Sequence, residues 1–170
     1  GGFEIWQFTS RPTKKASFDI QLGDFGLYVC RIKSRNVEAS YHYFNENGAQ
    51  ILGGLSTAPK GEKSFFVEDP NGNIFNIVEG KGWFRKTGHP SNCGAVAGTM
   101  IGVSNIEKAL PLYQDILGYE TIVYDETGVF DDLQGLPSGD KKVRRVLLTH
   151  QEERRGPFAR LLGPTQIELV

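Results

Sequence analysis

Cysteine, histidine and methionine are scarce in this 170-residue chain, which has two, three and one of them. Cys30 and Cys93 form no CxxC pair, so the sequence encodes neither a zinc ribbon nor a dithiol redox couple. Both are expected as reduced thiols, Cys30 within a strand. No run of about 18 apolar residues occurs that could cross a bilayer. The opening Gly1-Gly2-Phe3-Glu4-Ile5 has neither the basic nor the apolar region of a signal peptide, so a soluble, cytoplasmic protein without a membrane partner is expected. An excess of one charge is also missing. Nineteen Lys and Arg against twenty Asp and Glu leave a net charge of −1, which argues against nucleic acid as a partner. The one basic cluster, Lys141-Lys142-Val143-Arg144-Arg145, reads as a solvated strand edge. Gly61-Glu62-Lys63-Ser64 lacks the earlier glycine of a phosphate loop, since position 57 is Thr57, and reads as a loop before a strand. Asp125, Glu126, Asp131 and Asp132 lack the alternation and closing glutamate of a calcium loop, and read as a solvated hairpin.

What the chain does contain is a cassette repeated three times. Phe3-Glu4-Ile5-Trp6, Phe75-Asn76-Ile77-Val78 and Ile167-Glu168-Leu169-Val170 each set one polar residue among apolar ones. The polar positions are 72 and 92 residues apart, too irregular for a solenoid but suited to duplicated modules. The middle copy follows the turn Asp69-Pro70-Asn71-Gly72-Asn73 and the last follows Gly163-Pro164-Thr165, so each is a strand entered through a chain reversal.

Two passes along the chain give the same order of elements. In the first, Leu27 to Ile32 reads as a strand, and Asn36 caps a helix with Val37, Tyr41 and Phe44 on one face, stopped by Gly48. Strands at Ala49 to Leu52, Lys63 to Val67 and Ile74 to Glu79 follow. In the second, the strand Ala97 to Val103 precedes a helix capped by Asn105, with Ile106, Ala109, Leu110, Tyr113 and Leu117 on one face before Gly118. Pro111 lies inside that helix and should bend it or remove a hydrogen bond. Strands at Tyr119 to Tyr124, Val143 to Thr149 and Gln166 to Val170 complete the second pass. The predicted organisation is a last strand of a preceding partial module in 1–10, a βαβββ module in 24–80, a linker in 81–94 and a second βαβββ module in 95–170. The fold class is α+β: two βαβββ modules forming an incomplete, barrel-like mixed sheet around a cleft, with the helices outside.

Doubled βαβββ modules, the helix running through Tyr113-Gln114-Asp115-Ile116-Leu117-Gly118-Tyr119 and the turn Asp69-Pro70-Asn71-Gly72-Asn73 together resemble the vicinal oxygen chelate superfamily. That superfamily includes glyoxalase I, extradiol dioxygenases and bleomycin-resistance proteins. The resemblance spans nearly the whole chain and implies a fragment of a protein with three or four modules. It also implies a cleft in which His or Gln on first strands and Glu on last strands hold one divalent metal ion (Zn, Ni, Mn or Fe), which chelates vicinal oxygens of a small-molecule ligand. Carried onto this chain, the first-strand positions fall on Val29 and Gly98, which supply no donor, and the last-strand positions on Asn76 and Glu168. Glu4 is the equivalent in the partial module.

The candidate metal residues are therefore Glu168 and Glu4. Glu168 and His150, at the end of the strand Val146 to Thr149, are the candidate catalytic residues. His42 is expected at a surface or core edge and His89 in a loop. The implied substrate cleft takes Asn76, Met100, Gln166, Tyr28 and Tyr124. Two functional readings stand. One is a unit of a metal-dependent lyase or dioxygenase whose ligands here are mostly lost. The other is a metal-free domain, either a sequestering cleft of the bleomycin-resistance kind or the structural half of a larger enzyme. Exposed strand edges should favour a homodimer, or pairing with further modules of the same protein, and the segment Phe3 to Phe8 should add to a sheet edge.

Overall fold

The computed structural model describes residues 4–14, 16–80, 82–83, 91–153 and 155–170. Most of the expected linker, His89 included, lies outside the described residues. The first unit runs β1 (Gly26–Ser34), α1 (Val37–Glu46), β2 (Gln50–Thr57), β3 (Lys63–Glu68) and β4 (Ile74–Glu79). The second runs β5 (Cys93–Gly102), α2 (Ile106–Pro111), β6 (Thr121–Gly128), β7 (Val143–Thr149) and β8 (Gln166–Leu169), with a one-turn helix α3 (Ala159–Leu162) before β8. All eight strands form one mixed sheet in the order β2-β3-β4-β1-β5-β8-β7-β6. The two units are joined antiparallel at β1 and β5, and in each the first and last strands pair in parallel. This is the expected α+β architecture of a curled, open, barrel-like sheet with helices on its outer side.

Local sequence accounts for these elements. Asn36 and Asn105 adopt extended backbone and cap their helices, each side chain accepting the N–H three residues on at 2.9 Å, from Ala39 and Lys108 respectively. Pro111 has no N–H to give the preceding turn. The helix therefore widens into a π-helical stretch, Leu112–Ile116, in which the Leu117 N–H reaches back five residues to the Leu112 carbonyl at 3.0 Å. The Asp69 carboxylate accepts the backbone N–H groups of Asn71 and Asn73 at 2.8 and 2.9 Å, and this turn sets the β3–β4 register from Glu68 and Ile74 onward.

Apolar side chains fill both faces of the sheet. Under α1, Val37, Phe65, Val67 and Ile77 are buried, and Tyr41 and Phe44 meet the Phe65 ring edge-on at 5.4 and 5.7 Å. Under α2 the buried set is Ile106, Val146, Leu148 and Leu169. On the inner face, Val29, Phe66 and Met100 pack against Leu133 and Leu136. Those two leucines do not belong to the sheet. They come from the segment after β6, which crosses to β2 at the opposite edge. There Gly135 sits so close to Gly53 that a Cβ at 135 would lie 2.4 Å from the Gly53 nitrogen. The segment Gln21–Asp24 is tied to the same loop, Leu22 N–H donating to the Pro137 carbonyl at 3.0 Å and the Ser138 hydroxyl to Gln21 Oε1 at 2.6 Å. The chain thus fills the inside of its own curled sheet.

One expected strand is not formed. Residues 4–8 take no strand conformation, and Ile5 and Trp6 are 87% and 74% exposed. The other two cassette copies are β4 and β8, each held between the first and third strands of its own unit. They occupy both such places, which leaves the Phe3–Phe8 copy none inside the sheet.

Candidate functional site

Glu168 lies on β8, with Met100 of β5 and Leu147 of β7 as its cross-strand partners. It therefore points inward, and it is 2% exposed. Its Oε1 accepts two hydrogen bonds, from the Tyr124 hydroxyl at 2.7 Å and from Arg145 Nε at 2.6 Å. Arg145 turns its Nη1 to both oxygens of Asp132, at 2.8 and 2.9 Å, and its guanidinium lies 4.8 Å from the centre of the Phe130 ring. One buried cation thus sits between two buried carboxylates. Burial opposes the charged form of Glu168, but the Arg145 and Arg31 charges and the hydrogen bonds from Arg145 and Tyr124 outweigh it and hold the carboxyl below its ordinary value. For Asp132 burial wins, and its carboxyl is pushed above the usual range despite Arg145. Burial, then the Glu168 charge, pushes the Tyr124 phenol up, so it stays a hydrogen-bond donor.

Of the other expected site residues, Tyr124 and Met100 adjoin Glu168, Asn76 and Gln166 adjoin Arg31, and the rest lie apart. Asn76 is buried opposite Arg31, its Nδ2 donating to the Phe65 carbonyl at 3.3 Å. Gln166 accepts from Arg31 Nη1 at 3.1 Å. Met100 belongs to the inner apolar cluster, and Tyr28 packs against that cluster where the β1–β5 register slips, its phenol pushed up to about 12 by burial, with Asp24 and Glu68 adding to it. His150 stacks on Tyr119 with ring centres 3.9 Å apart and its Nδ1–H donates to the Gly118 carbonyl, which places it against the turn that follows α2. Glu4 is exposed and accepts from Trp6 Nε1 at 3.0 Å. His42 is exposed beside Tyr41, as expected. An open depression of about 400 Å³, lined in part by Asn105, Ile106, Glu107 and Arg144, lies at the start of α2 and includes none of the residues that hold Glu168.

Two sequence readings need correction. Arg145 is no solvated edge residue: β7 runs between β8 and β6, and Arg145 is 2% exposed. Asp132 is no solvated hairpin residue: it is 6% exposed because the loop carrying it folds inward. The apolar run Val146-Leu147-Leu148 after Arg145 held the signal, since a strand apolar on both faces is an interior one, as β7 is between β8 and β6.

No family model and no curated protein matches this sequence. Solved structures do match by shape. A putative dioxygenase from Bacillus subtilis aligns over 88% of this chain and 41% of its own, with 15% identity and a TM-score of 0.54. The chain has the vicinal oxygen chelate fold. Glyoxalase I from Zea mays aligns over 85% of this chain at 14% identity with a TM-score of 0.47, and methylmalonyl-CoA epimerase from Streptomyces coelicolor over 85% at 9% identity with a TM-score of 0.43. This chain spans 42% of the length of the maize enzyme.

A vicinal oxygen chelate fold implies a divalent metal, and the residues present do not fit one. Val29 supplies no donor. At Gly98 a side chain of any kind is excluded, because a Cβ there would lie 1.9 Å from the Gln166 carbonyl oxygen. Asn76 offers at most a neutral amide oxygen, its Nδ2 donating to the Phe65 carbonyl. The Arg145 guanidinium, 2.6 Å from Glu168, is a fixed positive charge against the one carboxylate that a cation would need. Among the described residues no three His, Cys, Asp or Glu side chains converge as a metal site would require.

Proposed function

We propose that this chain is a metal-independent vicinal oxygen chelate unit acting as the non-catalytic half of a larger enzyme. The observation that carries this reading is the contact of Arg145 with Glu168. An internal cation takes the place of an external one and satisfies the carboxylate without open coordination positions. Leu133, fully buried, and Leu136 occupy the inner face of the sheet, where a substrate chelated near Glu168 would need room. Buried ion pairs of this kind are poor sources of net stability, and in some proteins they specify one arrangement. That suits a unit whose task is to hold shape while neighbouring modules react. Any lyase or dioxygenase chemistry would then reside in other modules of the protein.

Metal uptake tests the reading. The purified chain, dialysed in turn against zinc, nickel, manganese and ferrous iron, should retain none stoichiometrically, and Arg145→Ala should not create a tight site, since Gly98 and Val29 still offer no ligand. Stoichiometric metal that disappears in Glu168→Ala would reject it.

A further inference from the structure

Strand β1 carries two basic residues at alternate positions, Arg31 and Lys33, and its unbroken register with β4 from Val29–Ile74 to Ser34–Glu79 puts both on the inner face with Val29. Each is 3% exposed. Arg31 is partly satisfied: Nη1 donates to Gln166 Oε1 at 3.1 Å, and Nη2 lies 3.9 Å from the half-exposed Glu62 carboxylate. Among the described residues its Nε is buried with no acceptor, and so is the ammonium of Lys33. Burial pushes the Lys33 pKa down from its ordinary value.

Two glycines lie against the Lys33 side chain. A Cβ on Gly80 would lie 2.8 Å from Lys33 Cγ, and one on Gly163 would lie 2.8 Å from Nζ. A lysine kept only for its hydrocarbon stem extends its ammonium to water. This one does not. The acids nearby serve the arginines: Glu168 accepts from Arg145 and Tyr124 and is also favoured by the Arg31 charge, Asp132 is held by Arg145, and Glu62 stands near Arg31. Buried donors without acceptors are rare in folded proteins, and a cationic one calls for an anion.

We infer that Lys33 and Arg31 form a binding site for the oxyanion group, carboxylate or phosphate, of a small molecule, admitted between the loop before β3 and the turn before β8. Lys33 supplies a point charge. Arg31 supplies N–H donors not used by Gln166. The site needs no metal. It is also separate from the filled apolar part of the inner face, so a failure to bind anions would leave the metal-independent reading untouched, and metal uptake would leave this one untouched.

The experiment is thermal unfolding of the whole chain in chloride buffer, with inorganic phosphate or acetate added at constant ionic strength. It is run on the native protein, on Lys33→Met, and on Lys141→Met, which removes an exposed lysine paired only with its neighbour Asp140. The native protein and Lys141→Met should show a saturable rise in Tm with one of the two anions. Lys33→Met should lose that response and, lacking an unpartnered buried charge, melt no lower than the native protein in chloride. An unsaturable response, none at all, or one that persists in Lys33→Met would overturn the site. Should Lys33→Met not fold, the Lys33 ε-resonance of the native protein decides: it must shift with anion along the same saturation curve, and Arg31→Gln must weaken that curve by about tenfold or more, the loss of one charged contact. A static resonance or an unchanged curve overturns the site equally.

Discussion

Arg145 Nε lies 2.6 Å from Glu168 Oε1 while the other side of the same guanidinium grips both oxygens of Asp132. The three residues come from β7, β8 and the loop between β6 and β7, so the ion cluster ties the filled interior to the sheet. Its loss should therefore be felt in stability before anything else.

Arg145→Met leaves two buried carboxylates without their cation. Removing one partner of a buried pair costs about 3–5 kcal/mol, and urea unfolding should show a loss of that size. Arg145→Met combined with Glu168→Leu and Asp132→Leu should recover most of it, because no charge then remains unpaired. Equal losses in the single and triple variants would mean that packing, and not charge, dominates there.

The acid limb of stability should depend on Glu168. Its carboxyl is held below the unfolded value of about 4.3, so the stabilisation is complete above that pH and is lost as pH falls through the lower, folded value. Glu168→Gln should be less stable than the native protein at pH 7, and the difference should shrink as pH drops below about 4. Asp132 works in the opposite sense, since its raised value makes the ionised form a cost. Asp132→Asn should therefore lose ground relative to the native protein as pH falls and the native Asp132 becomes protonated. Parallel curves of Tm against pH for all three proteins would contradict both assignments.

The interior leucines should behave as core. Leu133 is fully buried and Leu136 is 4% exposed, and truncating a buried leucine to alanine costs about 2–5 kcal/mol. Leu133→Ala should reach the upper part of that range in denaturant unfolding. Substitution of a mobile lid would cost well under 1 kcal/mol, as at an ordinary surface position.

Gly135→Ala tests how the loop is seated. The added Cβ would come 2.4 Å from the Gly53 nitrogen and 2.5 Å from the Leu52 carbonyl carbon, both backbone, so one of the two segments must move. Faster hydrogen exchange in Leu133–Leu136 and in β2, with β8 unaffected, is the expected pattern. Unchanged exchange would place the loop elsewhere.

The order of elements, both asparagine caps, the Asp69 turn and the disturbance at Pro111 were all legible in sequence, because each rests on local backbone chemistry. The interior of the sheet was not. Arg145 and Asp132 read as solvated because charged residues usually are, and only the pairing of β6 with β7 and the inward fold of the loop bury them. Arg31 and Lys33 left a trace in the alternation of Cys30-Arg31-Ile32-Lys33, yet strand β1 had to be known as central before inward-facing cations could be read from it. The exposed Ile5-Trp6 segment failed for the same reason in reverse: its cassette predicts a strand, but strand formation needs a neighbour that local sequence does not supply.

The most direct measurement is metal content by plasma mass spectrometry after exposure to zinc, nickel, manganese and ferrous iron, for the native chain and for Glu168→Ala. A metal-independent unit gives substoichiometric and equal values in both. One metal ion per chain in the native protein, lost in Glu168→Ala, would mean that Arg145 yields its place to a cation and that the chain is no metal-independent unit.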